Sequence, residues 1–358
     1  MNNENRAVAI LGAGSSGMAT AAWLTMAGCR VTLCDTPEQA ADFDRIRAQN
    51  GIILRGGSGK TGCALPYKLT HDFEEALKDA RCVIICTSAG RHEEIAERVA
   101  PLAQNGQVFL LNPGNFGSFG LRRRLDALGR KDVAVAELCG CLWACRRTAP
   151  GEVLVAMPAK EGTVAALPAS DTGKVIEAFD GIWKLNPGKN VLEVSLNSPN
   201  VISHVAGAVL NATPVEKKGE QFAFFMDGLS ETVIQAFVLL EAERKAVMDA
   251  LGLRLYGASS EGLMRKLMAP DCPAALHCFR ALDGPSSFAH RYVSEDAACG
   301  VAMIVALGQE YGVPTPLTHA YLTIAGSINR EDYLRTGRTP ENLGLKGCSK
   351  EALLQALA

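Results

Sequence analysis

The sequence predicts an α/β protein in which an N-terminal doubly wound parallel sheet is followed by an all-helical second domain. Three observations carry this. Over the first 135 or so residues, short β-branched runs alternate with helical stretches, the pattern of a parallel sheet with helices on its faces. A glycine turn joins the first run to the first helix. Beyond Ser195 helical patterns dominate.

Taken in order, Ala7–Leu11, Arg30–Asp35, Cys82–Cys86, Gln107–Leu111 and Asp132–Glu137 read as the strands of that sheet. Arg91–Ala100 and Phe119–Leu128 are amphipathic and read as crossover helices. Ile52–Gly62 with Leu65–Thr70 reads as an inserted hairpin, broken at Gly56, Gly57 and Gly59. Two further runs, VLVAM and TVAAL, fall between Glu152 and Pro168, and a helix is expected over Asp171–Trp183. The turn cluster Asn186-Pro187-Gly188 sets the expected boundary, with a first domain at 1–187 and a second at 188–358. In the second, helices are expected at Pro199–Ala212, Gly228–Leu251, Ser259–Met268, Ser294–Tyr311 and Leu317–Ile328. No internal repeat or coiled-coil heptad is present.

Composition narrows the function classes. Of 358 residues, 48% are hydrophobic and 21% charged, the balance of a water-soluble globular protein. A net charge of −2 gives no electrostatic footprint for nucleic acid or an anionic membrane, so small molecules are the expected partners. No apolar run reaches the roughly 18 residues of a spanning helix, and the first residues lack the features of a secretory signal. Twelve cysteines then point to reduced thiols and a cytoplasmic protein. Cys139, Cys141 and Cys145 come nearest to a cluster. They lack the paired Cys-x-x-Cys knuckles of zinc sites, so no structural metal is expected.

The strongest motif is Gly12-Ala13-Gly14-Ser15-Ser16-Gly17, between the strand AVAIL and a helix ending by Gly28. Gly12 suits the tight turn, Gly14 lets backbone approach a pyrophosphate, and Gly17 lets helix and strand pack closely. The helix start, with Ser15, presents N–H groups and a positive dipole to phosphate. Asp35 ends the second strand eighteen residues after Gly17, where an acid that accepts the adenosine ribose hydroxyls is expected. Together these features predict a Rossmann-type dinucleotide site. Asp35 favours NAD, with NADP left open because Arg30, Arg45 and Arg47 are near in sequence. Gly59-Lys60-Thr61 is a decoy. A P-loop needs glycine where Leu54 stands, and no helix start follows.

Thr87 and Asn112 lie at the carboxyl ends of predicted strands, the edge along which such sheets bind ligands. Both are also ordinary loop residues. In the second domain, Asn197 or Ser198 can cap the helix that Pro199 opens. That helix carries Asn200, His204 and Asn211 on one face. A buried polar stripe must find partners, and spacing alone leaves a satisfied core histidine open. In His290-Arg291-Tyr292-Val293-Ser294-Glu295-Asp296, Ser294 can cap a helix with both acids in its first turn. Arg291 suits a carboxylate clamp or a plain salt bridge.

These segments resemble the opine dehydrogenase family, which includes octopine, nopaline and N-(1-carboxyethyl)norvaline dehydrogenases. The resemblance runs through LNPGNFGSFG, AELCGCLWACR, NSPNVISHVAGAVLNA and HRYVSEDAACGVAMIVALGQEYGVPTP. It implies NAD(P)H-dependent reductive condensation of an amino acid with a 2-keto acid such as pyruvate, through an imine, with the active site between the domains. It further implies His204 and Asp296 as the catalytic pair and Arg291 as a substrate-carboxylate ligand. Glu137 is implied as an acid that senses the amino acid, and Asn200 joins the substrate-binding set. The cysteine-rich CGCLWACR departs from the family's usual threonine, leucine and tyrosine. The competing reading is a ketopantoate-reductase-like or 2-hydroxy acid dehydrogenase of the same two-domain build. Such enzymes usually centre catalysis on a lysine, which the His204 helix lacks. A monomer and a homodimer are both open.

Overall fold

A computed structural model describes residues 6–157, 161–256 and 260–358. The chain divides into two compact units: residues up to Val194 with Ala358, and Ser195–Leu357.

The first unit is built on twelve strands: β1 (Ala7–Leu11), β2 (Arg30–Cys34), β3 (Ile52–Gly56), β4 (Gly62–Ala64), β5 (Lys68–Thr70), β6 (Cys82–Ile85), β7 (Val108–Leu111), β8 (Ala134–Leu138), β9 (Cys145–Ala149), β10 (Glu152–Val155), β11 (Gly162–Ala166) and β12 (Leu185–Pro187). Eight of them form one sheet in the order β12-β11-β8-β7-β6-β1-β2-β5. The pairs from β5 to β8 are all parallel, and β11 runs antiparallel to β8. The chain leaves β1 toward β2 and later returns to β6 on its other side. The β1/β6 border is therefore the switch point at which doubly wound sheets bind ligands.

A second sheet, β4-β3-β10-β9, was not anticipated. The hairpin reading holds for β3 and β4, which pair antiparallel. It fails for Lys68–Thr70, which pairs in parallel with β2 at the edge of the main sheet. Pro66, which has no N–H to donate, separates β4 from β5. VLVAM also belongs to the second sheet, where β10 runs parallel to β3. The physical reason lies in the helix Ser15–Met26, sequence SSGMATAAWLTM, which is apolar on nearly every side. One face packs on the main sheet, and the other needs a cover of its own. Ile52, Leu54, Val153 and Val155 supply it, in one core with Met18, Ala21 and Leu24. Trp23, Trp143 and Trp183 close this layer, with the Trp183 ring 4.8 Å from Trp23 and 5.0 Å from Trp143.

Cys82 and Cys86 are buried in the sheet as apolar residues. Burial pushes their thiols up to about 11 and about 12. Among the described residues no group of three His, Cys, Asp or Glu side chains is arranged to hold a metal, and no helix is long and apolar enough to cross a membrane.

The second unit is helical, with its main helices at Asn200–Leu210, Glu231–Ala250, Ser260–Met268, Ala302–Tyr311 and Pro316–Asn329. Ser259, the expected start of the third, lies outside the described residues. Two local readings are corrected. Neither Asn197 nor Ser198 caps the His204 helix. Asn197 instead uses its amide to bond the Arg254 carbonyl and the Tyr256 N–H. The helix expected from Ser294 starts earlier, at Arg291, because His290 takes the cap position and its Nδ1 accepts the Tyr292 N–H. The Ser294 hydroxyl, now inside the helix, donates to the Ala289 and His290 carbonyls. After Asp296 the helix widens into a π-turn, Ala297–Val301, before continuing.

Candidate functional site

In the first unit the glycine motif forms the turn that its spacing predicts. The Gly12 N–H donates to the Cys34 carbonyl and the Cys86 N–H to the Leu11 carbonyl, tying the turn to both neighbours of β1. Gly12 has φ +106°, a conformation open to glycine and costly for other residues. A side chain at Gly17 would put its Cβ 1.7 Å from the Gly12 carbonyl oxygen, so the third glycine lets the helix start seat on the turn. A Cβ at Gly14 would meet nothing within 4 Å, leaving that backbone open to a phosphate.

Ser15 lies at the helix start, where its hydroxyl accepts the Arg147 N–H from β9. Thr87 flanks the β1/β6 border. It is buried, and its Oγ1 has no hydrogen-bond partner. An orphaned buried hydroxyl beside an open glycine turn fits a polar ligand group at that border. On this ground the residues present fit a dinucleotide.

Three polar residues of this unit bond the backbone of the loops around them. Asp35 is 3% exposed, and its carboxylate accepts the Ala13 and Thr36 N–H groups at 2.5 and 2.8 Å. Arg91, which the sequence reading missed, approaches the same carboxylate at 3.4 Å. Asp35 thus anchors the glycine turn and carries its own counter-ion. Asn112 is fully buried. Its amide donates to Ser16 Oγ and its oxygen accepts the Leu142 N–H, so it braces the turn instead of offering a free contact. Glu137 is also fully buried at the end of β8. It accepts the N–H groups of Phe116 and Ser118 at 2.9 and 2.8 Å, and the Ser118 hydroxyl. Glu137 thus holds the loop after β7. The physical reason is shared by all three. Tight loops leave N–H groups that a buried acceptor must satisfy.

The second unit joins residues far apart in sequence. His204 and Asp296 are both buried, and Nδ1 of the imidazole lies 2.8 Å from Oδ2 of the carboxylate. Because the helix starts at Arg291, Asp296 lies beyond its first turn, so the helix-dipole alternative does not apply to it. Asn200, half-buried, sits one turn before His204 on the same helix face. Arg291 is exposed, and its guanidinium carbon lies 5.5 Å from the Tyr292 ring centroid. Tyr292 and Phe224, both unpredicted, pack against the imidazole. Asn211, the third member of the polar stripe, bonds the Gly207 and Gly228 carbonyls and closes its own helix end. Tyr292 stands four residues before Asp296. That helical spacing was readable once both were placed in one helix.

Comparison with known proteins finds relatives for both units. The family model described as ketopantoate reductase PanE/ApbA matches residues 8–166. The model for the alpha-helical domain of NAD/NADP octopine/nopaline dehydrogenase matches residues 187–329. A D-nopaline dehydrogenase of Agrobacterium tumefaciens (strain T37) is 23% identical over 90% of this chain and 86% of its own. Octopine dehydrogenase, solved with NADH and L-arginine, shares the fold at a TM-score of 0.68, with 19% identity and 97% of each chain covered. Opine dehydrogenase of Arthrobacter sp. (strain 1C) is 31% identical, covering 99% of both sequences. Matched from end to end at that level, and with the helical domain typical of those NAD/NADP enzymes, this chain belongs to the opine dehydrogenase family.

Proposed function

We propose that this chain joins an amino acid to a 2-keto acid such as pyruvate, reducing the intermediate imine to a secondary amine dicarboxylate, and catalyses the reverse oxidation. The carrying observation is the buried His204–Asp296 pair, with Nδ1 and Oδ2 at 2.8 Å, in a chain of this family. Octopine dehydrogenase structures with NADH and L-arginine, and with NADH and pyruvate, are in keeping with the reading.

The Gly12–Gly17 turn and Thr87 would hold the dinucleotide, and reduced nicotinamide, when bound, supplies the hydride. Everything else falls to the protein. Asp296 holds Nδ1, fixing the ring orientation and favouring its cationic form. Nε2 is then the atom that exchanges a proton with substrate. It protonates the keto oxygen as the amine adds and water leaves, and takes the proton back in reverse. Arg291 is assigned to a substrate carboxylate, since a guanidinium binds one with two parallel hydrogen bonds. Asn200 is assigned to hydrogen-bond the substrate from the His204 face. Glu137 acts on the amino acid indirectly, through the loop it braces. Twelve free thiols suit a reducing cytoplasmic setting.

The ketopantoate-type reading shares only the fold with solved structures, a ketopantoate reductase at a TM-score of 0.58 and a D-mandelate dehydrogenase at 0.61. Its family model covers the nucleotide-binding part alone, and no lysine lies in Asn200–Leu210. NADH absorbance followed with pyruvate and a panel of amino acids tests the proposal. Oxidation is expected only when both co-substrates are present. Oxidation with the keto acid alone refutes it.

A further inference from the structure

The proton-donor reading of His204 leaves a question of mechanics. The hydrogen bond to Asp296 fixes one atom of the ring, and the rings packed around the imidazole bear on its plane. The Tyr292 ring lies flat on the imidazole, with centroids 3.5 Å apart and planes at 7°. Phe224 meets both rings edge-on, at 6.2 Å from His204 and 5.8 Å from Tyr292. Tyr292 and Asp296 are four residues apart in one helix, so a single helix face supplies both the carboxylate and the flat surface. The packing is close. A Cβ at Gly207, three residues after His204, would stand 2.2 Å from Phe224 Cζ.

We propose that Tyr292 is a positioning residue that fixes the plane of the His204 imidazole and favours its protonated form. The inference rests on His204 acting as the proton donor. An aromatic face attracts a cation, and the attraction is larger when the pair is desolvated, as it is here. The tyrosine face thus works in the same direction as Asp296. Among the described residues, the other ionisable groups on elements packed here include Glu295 on the same helix and Cys299 in the π-turn beside the His204 helix. His290 and Arg291 touch the Tyr292 ring, at 5.1 and 5.5 Å. On the helix Glu231–Ala250, which packs on the His204 helix, the buried pair Glu241 and Arg244 bond each other. Arg244 also donates to the carbonyls of Leu196 and Ser198. The helix Pro316–Asn329, packed on the same helix, carries His319, which is exposed.

The sign of the effect follows. Removing the aromatic face lowers the pKa of the imidazolium. The alkaline limb of the turnover profile, where the donor loses its proton, then moves to lower pH. The test uses the full chain with NADH, pyruvate and an amino acid it accepts, comparing Tyr292→Phe, Tyr292→Leu and His204→Asn. Tyr292→Phe keeps the face and is expected to stay within about twofold of wild type. Tyr292→Leu is expected to lose about tenfold in kcat with both KM values nearly unchanged, and to shift the alkaline limb about one pH unit downward. A histidine NMR titration should show the same downward shift for His204 without any turnover. A Tyr292→Leu variant with an unmoved limb and normal kcat overturns the inference, as does an equal loss in Tyr292→Phe. Full activity in His204→Asn instead overturns the proton-donor reading beneath it. NADH binding and thermal melting report folding. If the leucine variant unfolds, Tyr292→Met, flexible and without a flat face, decides by the same profile.

Discussion

Two sets of buried polar residues, one in each unit, are partnered in opposite ways. In the nucleotide-binding unit, Asp35, Asn112 and Glu137 all bond backbone N–H groups of the loops around them. The N–H groups they accept lie within about thirty residues in each case, and the result is a set of rigid loop ends. In the helical unit, two ionisable side chains 92 residues apart bond each other inside an aromatic enclosure. The first arrangement stiffens loop ends, and the second couples a buried imidazole to a buried carboxylate. A buried acid is therefore weak evidence of chemistry until its partners are known, because a carboxylate that satisfies N–H groups is doing structural work.

The sharpest way to break this contrast is at the imidazole. His204→Asn is expected to reduce kcat by roughly a thousandfold, within the usual range for a lost general acid, while NADH affinity stays near wild type. Asp296→Asn should cost about a hundredfold, since the amide still meets Nδ1 but no longer balances a cation. Fluorescence titration with NADH separates these losses from unfolding. A His204→Asn enzyme near wild-type turnover would place the chemistry elsewhere.

Next in size is the glycine turn. Gly17→Val sets a branched side chain against the Gly12 carbonyl, where even a Cβ stands 1.7 Å away. The helix start must shift, which costs about 1–3 kcal/mol of stability and should remove most NADH binding. A urea melt and a binding titration on the same sample read both. Retained NADH affinity would show that the turn does not hold the dinucleotide.

These cases also show why some of the molecule was legible and some was not. The glycine turn, its strand and its helix are contiguous, and their geometry is dictated by residues a few positions apart, so the pattern was readable. The second sheet was not, because β3 pairs with β10 nearly a hundred residues later. The all-round apolar character of SSGMATAAWLTM was the available sign that a cover was needed. The His204–Asp296 bond is likewise long-range, and resemblance to a family supplied what periodicity could not. The start of the Asp296 helix was misplaced because a histidine took a cap position that serine usually fills. Arg91 escaped notice for a related reason: it reaches Asp35 from the segment after β6, not from the vicinity of β2.

A smaller effect is expected at Glu137. Glu137→Gln keeps the shape but sets an amide NH2 where a carboxylate oxygen accepts from Phe116 or Ser118. Weakening charge-assisted bonds in a fully buried site should lower stability by about 1–3 kcal/mol. If the residue braces the loop, KM for the amino acid changes for all substrates alike. A change confined to amino acids with basic side chains would return Glu137 to direct substrate recognition.

The smallest effect is expected at Arg91, which sharpens the contrast from the cofactor side. Asp35 keeps its two N–H partners in Arg91→Ala, so the turn should hold and the melting point should barely move. The guanidinium is about one third exposed, and ion pairs of that kind contribute little once solvent and salt screen them. Cofactor preference is the more sensitive readout. With Arg91 in place, part of the Asp35 charge is balanced where an adenosine 2′-phosphate would approach. Without it the acid repels that phosphate while still accepting ribose hydroxyls. KM for NADPH should therefore rise several-fold with KM for NADH nearly constant, and the ratio should converge toward wild type as salt screens the repulsion. An unchanged NADPH/NADH ratio at low salt would mean that Arg91 balances no charge the cofactor feels, and that Asp35 serves the turn alone.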